Sequence, residues 1–208
     1  IWSSAMELEL RDTLREADVP VVWQVRGAFE DLIRGEARGR YFRQKSKQTR
    51  DGIVPDLRWR DEDGEFVLGD VKTIGFGKTR YWGRSPASTR PVDARAGSVH
   101  TDMRSKLRSI DRTILGRSPN GPLELRLSAV GPIRGLVFGA FGEISEEARS
   151  LLCYAADATA ARTWVADGAT SEEHAAALLK NRLYRRWGIK TAREYARIKI
   201  DGLRLVGG

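Results

Sequence analysis

The sequence predicts an α/β domain: a mixed central sheet flanked by helices, with further helices at the C-terminus. Three observations predict it. Helical and strand-like apolar periods alternate along 208 residues, a length sufficient for one sizeable core. Their order is helix, strand, hairpin, helix, strands, then helices, which suits a sheet covered on both faces. Hydrophobic residues make up 41% and charged residues 31%, the proportions of a folded chain. Residues 1–145 are expected to form the core and residues 146–208 a helical extension packed on it, a single domain overall.

The first element is a helix over residues 3–17, where Met6, Leu10, Leu14 and Ala17 share one stripe. Ser4, with Glu7 three residues on, has the pattern of a capping box. Val19–Val25 is a β-branched run that reads as a strand, followed by a short helix around Ala28–Arg34. Gly35–Asp51 is polar and basic and reads as a loop holding Tyr41 and Phe42. Ile53–Arg60 and Glu65–Ile74 read as a hairpin; in its turn, Glu62-Asp63-Gly64, the glycine can take the left-handed conformation that a three-residue loop needs. Residues 75–98, rich in Gly, Arg, Ser and Pro, read as a long loop. His100–Leu115 is a helix by pattern, and Leu123–Val130 and Gly135–Ile144 are strands with a turn at Gly131-Pro132. Leu136–Phe141 is apolar on both faces, as a central strand would be. Ser145 and Ser171 each precede two glutamates and cap the helices that follow.

The net charge is +8, and it is unevenly spread. Residues 37–60 carry eight Lys/Arg against two acids, and residues 72–117 carry eleven against three, so the remainder is acidic. Clustered cations on an acidic scaffold point to a polyanion such as nucleic acid, whose counterions they would release. No apolar run approaches the ~20 residues that cross a bilayer. The start, Ile1-Trp2-Ser3-Ser4, has neither the charge nor the apolar core of a signal peptide, and its lack of Met suggests a fragment. The expected location is intracellular, nuclear or DNA-associated, and not secreted. Cys153 is the single cysteine, so no disulfide is expected, and with two His it cannot build a usual zinc site.

The hairpin carries the candidate chemistry. Asp70 and Lys72 are two apart on a strand and leave one face. The turn pairs Asp61 with Glu65 and, counting back, Asp56 with Asp70. Carboxylates facing each other destabilise a sheet unless a cation lies between them, and a hard divalent ion suits their oxygens. The opposite face holds Leu57, Trp59, Val67 and Val71, a good core. The first helix carries two glutamates in its first half, Glu7 and Glu9. Glu7 lies on its apolar stripe, where a carboxylate is costly unless paired or metal-bound. Glu9, about 200° around the helix, is expected in solvent. Glu7 is favoured, with closure of the capping box as its alternative role.

The substrate grip is expected in the basic loop and the helix after it: Lys78, Arg80, Arg84, Arg90 and Arg95, then Arg104 and Lys106, with Tyr81 and Trp82 placed to stack on a base or pack on sugar. His100, His174, Trp164 and Trp187 read as structural.

Pro55-Asp56, a gap, then Asp70-Val71-Lys72 resembles the PD-(D/E)xK signature of restriction-endonuclease-like nucleases. The resemblance implies an α-β-β-β-α-β core and a Mg²⁺ or Mn²⁺ ion held by Asp56 and Asp70 with the Val71 carbonyl. It implies a further glutamate on the first helix, for which Glu7 is the candidate, and a Lys72 that orients the attacking water. DNA is favoured over RNA by resemblance alone. The run Asp70–Ile74 with Gly135–Glu143 is also similar to endonuclease-like domains encoded by mobile retroelements of algae and other protists. Two rival readings stand beside a nuclease: a catalytically inactive nucleic-acid-binding module of the same fold, and a domain that contacts acidic protein partners.

Overall fold

A four-stranded mixed sheet, ordered β1-β2-β3-β4, organises the chain. β1 (Val21–Trp23), β2 (Leu57–Arg60) and β3 (Phe66–Ile74) are antiparallel neighbours, and β4 (Ile133–Gly139) runs parallel to β3. The computed structural model describes residues 2–47, 53–75, 90–117 and 119–206. Six α-helices lie among the described residues: α1 (Trp2–Glu16), α2 (Gly35–Lys47), α3 (Arg90–Thr113), α4 (Pro122–Val130), α5 (Glu146–Thr163) and α6 (Glu172–Val206). None of them is long and apolar enough to cross a membrane.

The hairpin follows its turn chemistry. Gly64 sits at φ +79 and donates to the Asp61 carbonyl at 3.0 Å, while the Asp61 amide donates to the Glu65 carbonyl at 3.0 Å. The register is therefore Leu57 opposite Gly69 and Trp59 opposite Val67. Gly69 has to lack a side chain, because a Cβ there would lie 2.7 Å from the Trp59 ring.

Each face of the sheet has its own core. On one face, Leu57, Trp59, Val67 and Val71 meet the α1 stripe of Met6, Leu10 and Leu14, together with Leu151 and Leu152 of α5 and Trp187 of α6. The two last helices thus share the core of the hairpin. Trp187 lies in the middle of α6, fully buried, and its indole donates to Thr13 Oγ1 at 3.1 Å. On the other face, Leu68 and Ile133 pack with Phe29, Met103, Leu107 and Leu123.

Several elements differ from the sequence expectation. The capping box does not form, because α1 begins at Trp2 and Ser4 lies inside it. The first strand shrinks to β1, and two short 3-10 turns, Arg26–Ala28 and Glu30–Leu32, replace the helix expected to run to Arg34. The basic segment 35–47 is helical, not a loop, since Tyr41 is buried one turn after the half-buried Ala37 and its hydroxyl donates to Glu30 Oε1 at 3.0 Å. α3 starts ten residues before His100 and absorbs the end of the expected loop: Val92, Ala96, Val99, Met103 and Leu107 form one buried stripe, hidden in sequence by the Arg, Ser and Gly between them. Leu123–Val130 is helical, not extended. The alternation Leu123-Glu124-Leu125-Arg126-Leu127 imitates a strand, but Pro122 opens a helix well and leucine is a strong helix former. Leu123 and Leu127 are buried one turn apart, and Leu125 is exposed.

β4 is an edge strand, not a central one, although both its faces are covered. Its free edge is closed by the chain's own return. The Gly139 amide donates to the Glu143 carbonyl at 2.8 Å, and the Ser145 amide to the Val137 carbonyl at 2.9 Å. The Ser145 hydroxyl accepts from the Val137 amide at 3.1 Å and donates to the Gly135 carbonyl at 2.9 Å. The same hydroxyl caps α5 by accepting from the Ala148 amide. Ser171 caps α6 likewise, accepting from the His174 amide at 3.2 Å.

Candidate active site

The site forms where β3 outruns β2. Pairing between them ends at Leu57 and Gly69, whereas β3 continues beside β4 to Ile74. The chain entering β2 is held by β1's end: the Gln24 amide donates to the Asp56 carbonyl at 2.8 Å and the Val25 amide to the Pro55 carbonyl at 2.9 Å. Asp56 then turns its side chain onto the exposed edge of β3, and its Oδ2 accepts from the Val71 amide at 2.6 Å. A strand residue's N–H and C=O leave the same edge, so the Val71 carbonyl also points to this side.

Asp70 follows Gly69 on β3 and is only 7% exposed. Lys72, two residues on and on the same face, places Nζ 2.6 Å from Asp70 Oδ2. Glu7, also 7% exposed, arrives from α1. The Trp23 indole donates to its Oε2 at 3.3 Å, and Arg11 stacks over that indole at 5.7 Å.

The electrostatics of this cluster are unbalanced. The Asp56 carboxyl is pushed up to about 8, first by burial, then by the negative charges of Asp70 and Glu7 and a side-chain hydrogen bond with Asp70. The Val71 amide opposes this without overcoming it. Burial also raises the Glu7 carboxyl, with Asp70 adding to the rise; the Trp23 hydrogen bond and then Lys72 oppose it. Such a cluster can hold a proton between carboxyls or gather a cation among them.

A cleft of about 800 Å³ opens over the cluster. Glu7, Asp56, Asp70, Val71 and Lys72 line it, and so do Gln24, Arg26, Arg38 and Phe42. Gln24 has φ +49, a left-handed conformation unusual for a residue with a side chain, and such strain is commonest beside functional clefts. Among the described residues no three His, Cys, Asp or Glu side chains stand as a ready group of metal ligands; the Lys72 ammonium is the cation against Asp70.

The structure thus brings Glu7, Asp56, Asp70, Val71 and Lys72 together. Glu9 is not in solvent: its side chain is 12% exposed and ion-paired with Arg186 of α6. Lys78, Arg80, Tyr81, Trp82 and Arg84 lie outside the described residues. Arg90 is the first residue of α3 rather than part of a loop. Arg95 pairs with Ser98 and Asp102 along α3, Arg104 turns to Glu124, and neither these nor Lys106 lines the cleft. His100 is structural, its Nδ1 accepting from the Ile133 amide at 3.3 Å to fix the start of β4. The far wall, with Arg26, Arg38 and Phe42, was missed as a site because residues 35–51 read as a loop. The helical spacing of Ala37 and Tyr41 was the available signal. No protein-family model, curated protein or solved structure matches this chain.

Proposed function

We propose that the chain is a metal-dependent nuclease that hydrolyses phosphodiester bonds, DNA being favoured over RNA, on a restriction-endonuclease-like core. One observation carries the reading. Three carboxylates, Glu7, Asp56 and Asp70, converge with Lys72 at an open sheet edge inside a cleft, and burial together with their mutual repulsion raises Asp56. Buried acids of a folded protein are ordinarily paired, so a cluster with a single lysine against three carboxyls among the described residues is a functional candidate. The order α1-β1-β2-β3-α3-β4 agrees with the core that the PD-(D/E)xK resemblance implies, with α2 and α4 inserted.

A divalent cation suits these hard oxygens in chemistry and charge, although as they stand the three carboxylates do not form a ready ligand group and Lys72 occupies Asp70. Asp56, Asp70 and Glu7 would hold it with the Val71 carbonyl. When bound, Mg²⁺ or Mn²⁺ supplies polarisation of the scissile phosphate and a lowered pKa for the attacking water. The chain's own residues do the rest. The Val71 amide fixes the Asp56 carboxylate, and the Trp23 indole fixes Glu7. Lys72, exchanging its contact with Asp70 for one with substrate, orients the water and offsets charge that develops on the phosphate.

The test is incubation of the chain with plasmid and oligonucleotide substrates in Mg²⁺, in Mn²⁺ and in chelator. Cleavage in either metal and none in chelator is expected. Binding without cleavage in every condition would leave a nucleic-acid-binding module and end the enzymatic reading.

A further inference from the structure

We propose that the wall built by Arg26, Arg38 and Phe42 receives an unpaired nucleotide, so that the substrate strand is single-stranded where it enters the cleft. The inference rests on the nuclease reading and names its substrate class.

The wall combines an aromatic ring with cations. On α2, Tyr41 turns inward and is buried, while its neighbour Phe42 stays 43% exposed and lines the cleft. Arg38, one helical turn earlier, holds its guanidinium 5.7 Å from the Phe42 ring centroid, and Arg26 lines the same cleft. A phenyl ring backed by a guanidinium is a stacking platform for any base, and neighbouring arginines suit the phosphates on either side. The acids of that wall already face protein partners. Glu30 accepts from the Tyr41 hydroxyl at 3.0 Å, and Asp31 pairs with Arg126 at 3.6 Å.

Size points the same way. The cleft holds about 800 Å³, within the roughly 300–1,000 Å³ range of pockets that take drug-sized molecules. A volume of that order has room for one or a few nucleotides. Within a duplex every base face is already stacked, so the Phe42 ring can meet a base only after the base has left the stack. The strand that reaches Asp56 and Asp70 past Phe42 is therefore a single strand or a single-stranded flap.

The experiment measures binding of the full chain, with Ca²⁺ in place of Mg²⁺, to a single-stranded oligothymidine and to a blunt duplex of equal length. The wild type should prefer the single strand. Phe42→Ala should weaken single-strand binding about tenfold, leave duplex binding within about twofold, and be rescued by Phe42→Trp. A 2-aminopurine base placed in the oligonucleotide should lose emission on binding the wild type, which reads stacking without any variant. Preference for duplex, equal losses on both substrates, or no quenching overturns the inference. The underlying reading fails separately: single-strand binding that depends on Phe42, with no cleavage in any metal, sinks the nuclease and keeps this wall. Duplex cleavage indifferent to Phe42 does the reverse.

Discussion

Asp111 and Glu124 are buried as deeply as Asp70 and Glu7, at 1% and 4% exposure against 7% and 7%, yet the two pairs sit in opposite electrostatic situations. Asp111 caps α4 from another helix: one carboxylate oxygen accepts from the Leu123 amide at 3.2 Å and the other from the Glu124 amide at 3.0 Å. Both bonds lie at the positive end of the α4 dipole. Glu124 accepts from Arg108 at 2.5 Å and from Arg104 at 3.0 Å. The hydrogen bond from Arg108, foremost, holds its carboxyl below the ordinary range. In the cleft, by contrast, Lys72 meets Asp70, Glu7 has a neutral indole, and Asp56 rises. Burial alone therefore does not mark a site. What marks it, among the described residues, is how few donors and cations compensate the acids.

The contrast breaks most sharply by mutation of the cleft. Asp70→Ala or Lys72→Ala should lower cleavage by about a thousandfold or more, the scale of a lost transition-state contact, while the fold persists. Both project away from the core face of Leu57, Trp59, Val67 and Val71, so the melting temperature of Asp70→Ala should change little, the loss of the Lys72 ion pair offsetting the relief of repulsion. Retained cleavage by purified Asp70→Ala would sink the mechanism. The reverse is expected at the compensated pair. Asp111→Ala strands two buried amides and should cost about 2–3 kcal/mol, lowering the melting temperature by roughly 5–10 °C, with cleavage per folded molecule unchanged. A stable Asp111→Ala would show that α4 needs no cap.

Smaller effects follow from pH. An ionised Asp56 is needed to hold a cation, so divalent binding should strengthen as pH rises through about 8. For the metal-free chain the sign is opposite. Asp56 has a folded value above its unfolded one, so its contribution to stability is fully present below about 4 and is lost as pH rises towards 8. Thermal melts at pH 6 and pH 9 should show Mg²⁺ or Mn²⁺ raising the melting temperature more at the higher pH, and Asp56→Asn should remove the difference. A metal shift independent of pH would count against Asp56 as the responsible group. The smallest effect should come from Arg104→Gln. Its guanidinium is exposed, and Arg108 still holds Glu124, so melting should move by no more than about a degree.

The core of the cleft was legible because a hairpin is over-determined. Gly64 fixes the turn, the turn fixes the register, and the apolar side of Leu57, Trp59, Val67 and Val71 fixes which face the acids occupy. Glu7 was legible by its place on the Met6–Leu10–Leu14 stripe. The placement of Glu9 was not, since Arg186, the group that covers it, belongs to the last helix and no local pattern announces it. α4 was misread because leucine at alternate positions fits both a strand and a helix with one outward leucine. Its decisive partner, Asp111, lies on another helix. The far wall was missed for a similar reason. α2 shows solvent most of its surface, so composition suggests a loop, and only packing of Tyr41 against its neighbours tells otherwise.

Ser145 has a consequence for how the chain behaves in company. The outer edge of β4 would otherwise present a row of free amides and carbonyls, the template on which foreign strands add and amyloid-like stacks grow. The return from Gly139 to Ser145 occupies Val137 and Gly135 with bonds from the same molecule. At the opposite edge β1 offers only three residues. Among the described residues neither edge offers a long open strand, and Ser145→Ala would free the Val137 amide and the Gly135 carbonyl while leaving the backbone bonds of the return in place.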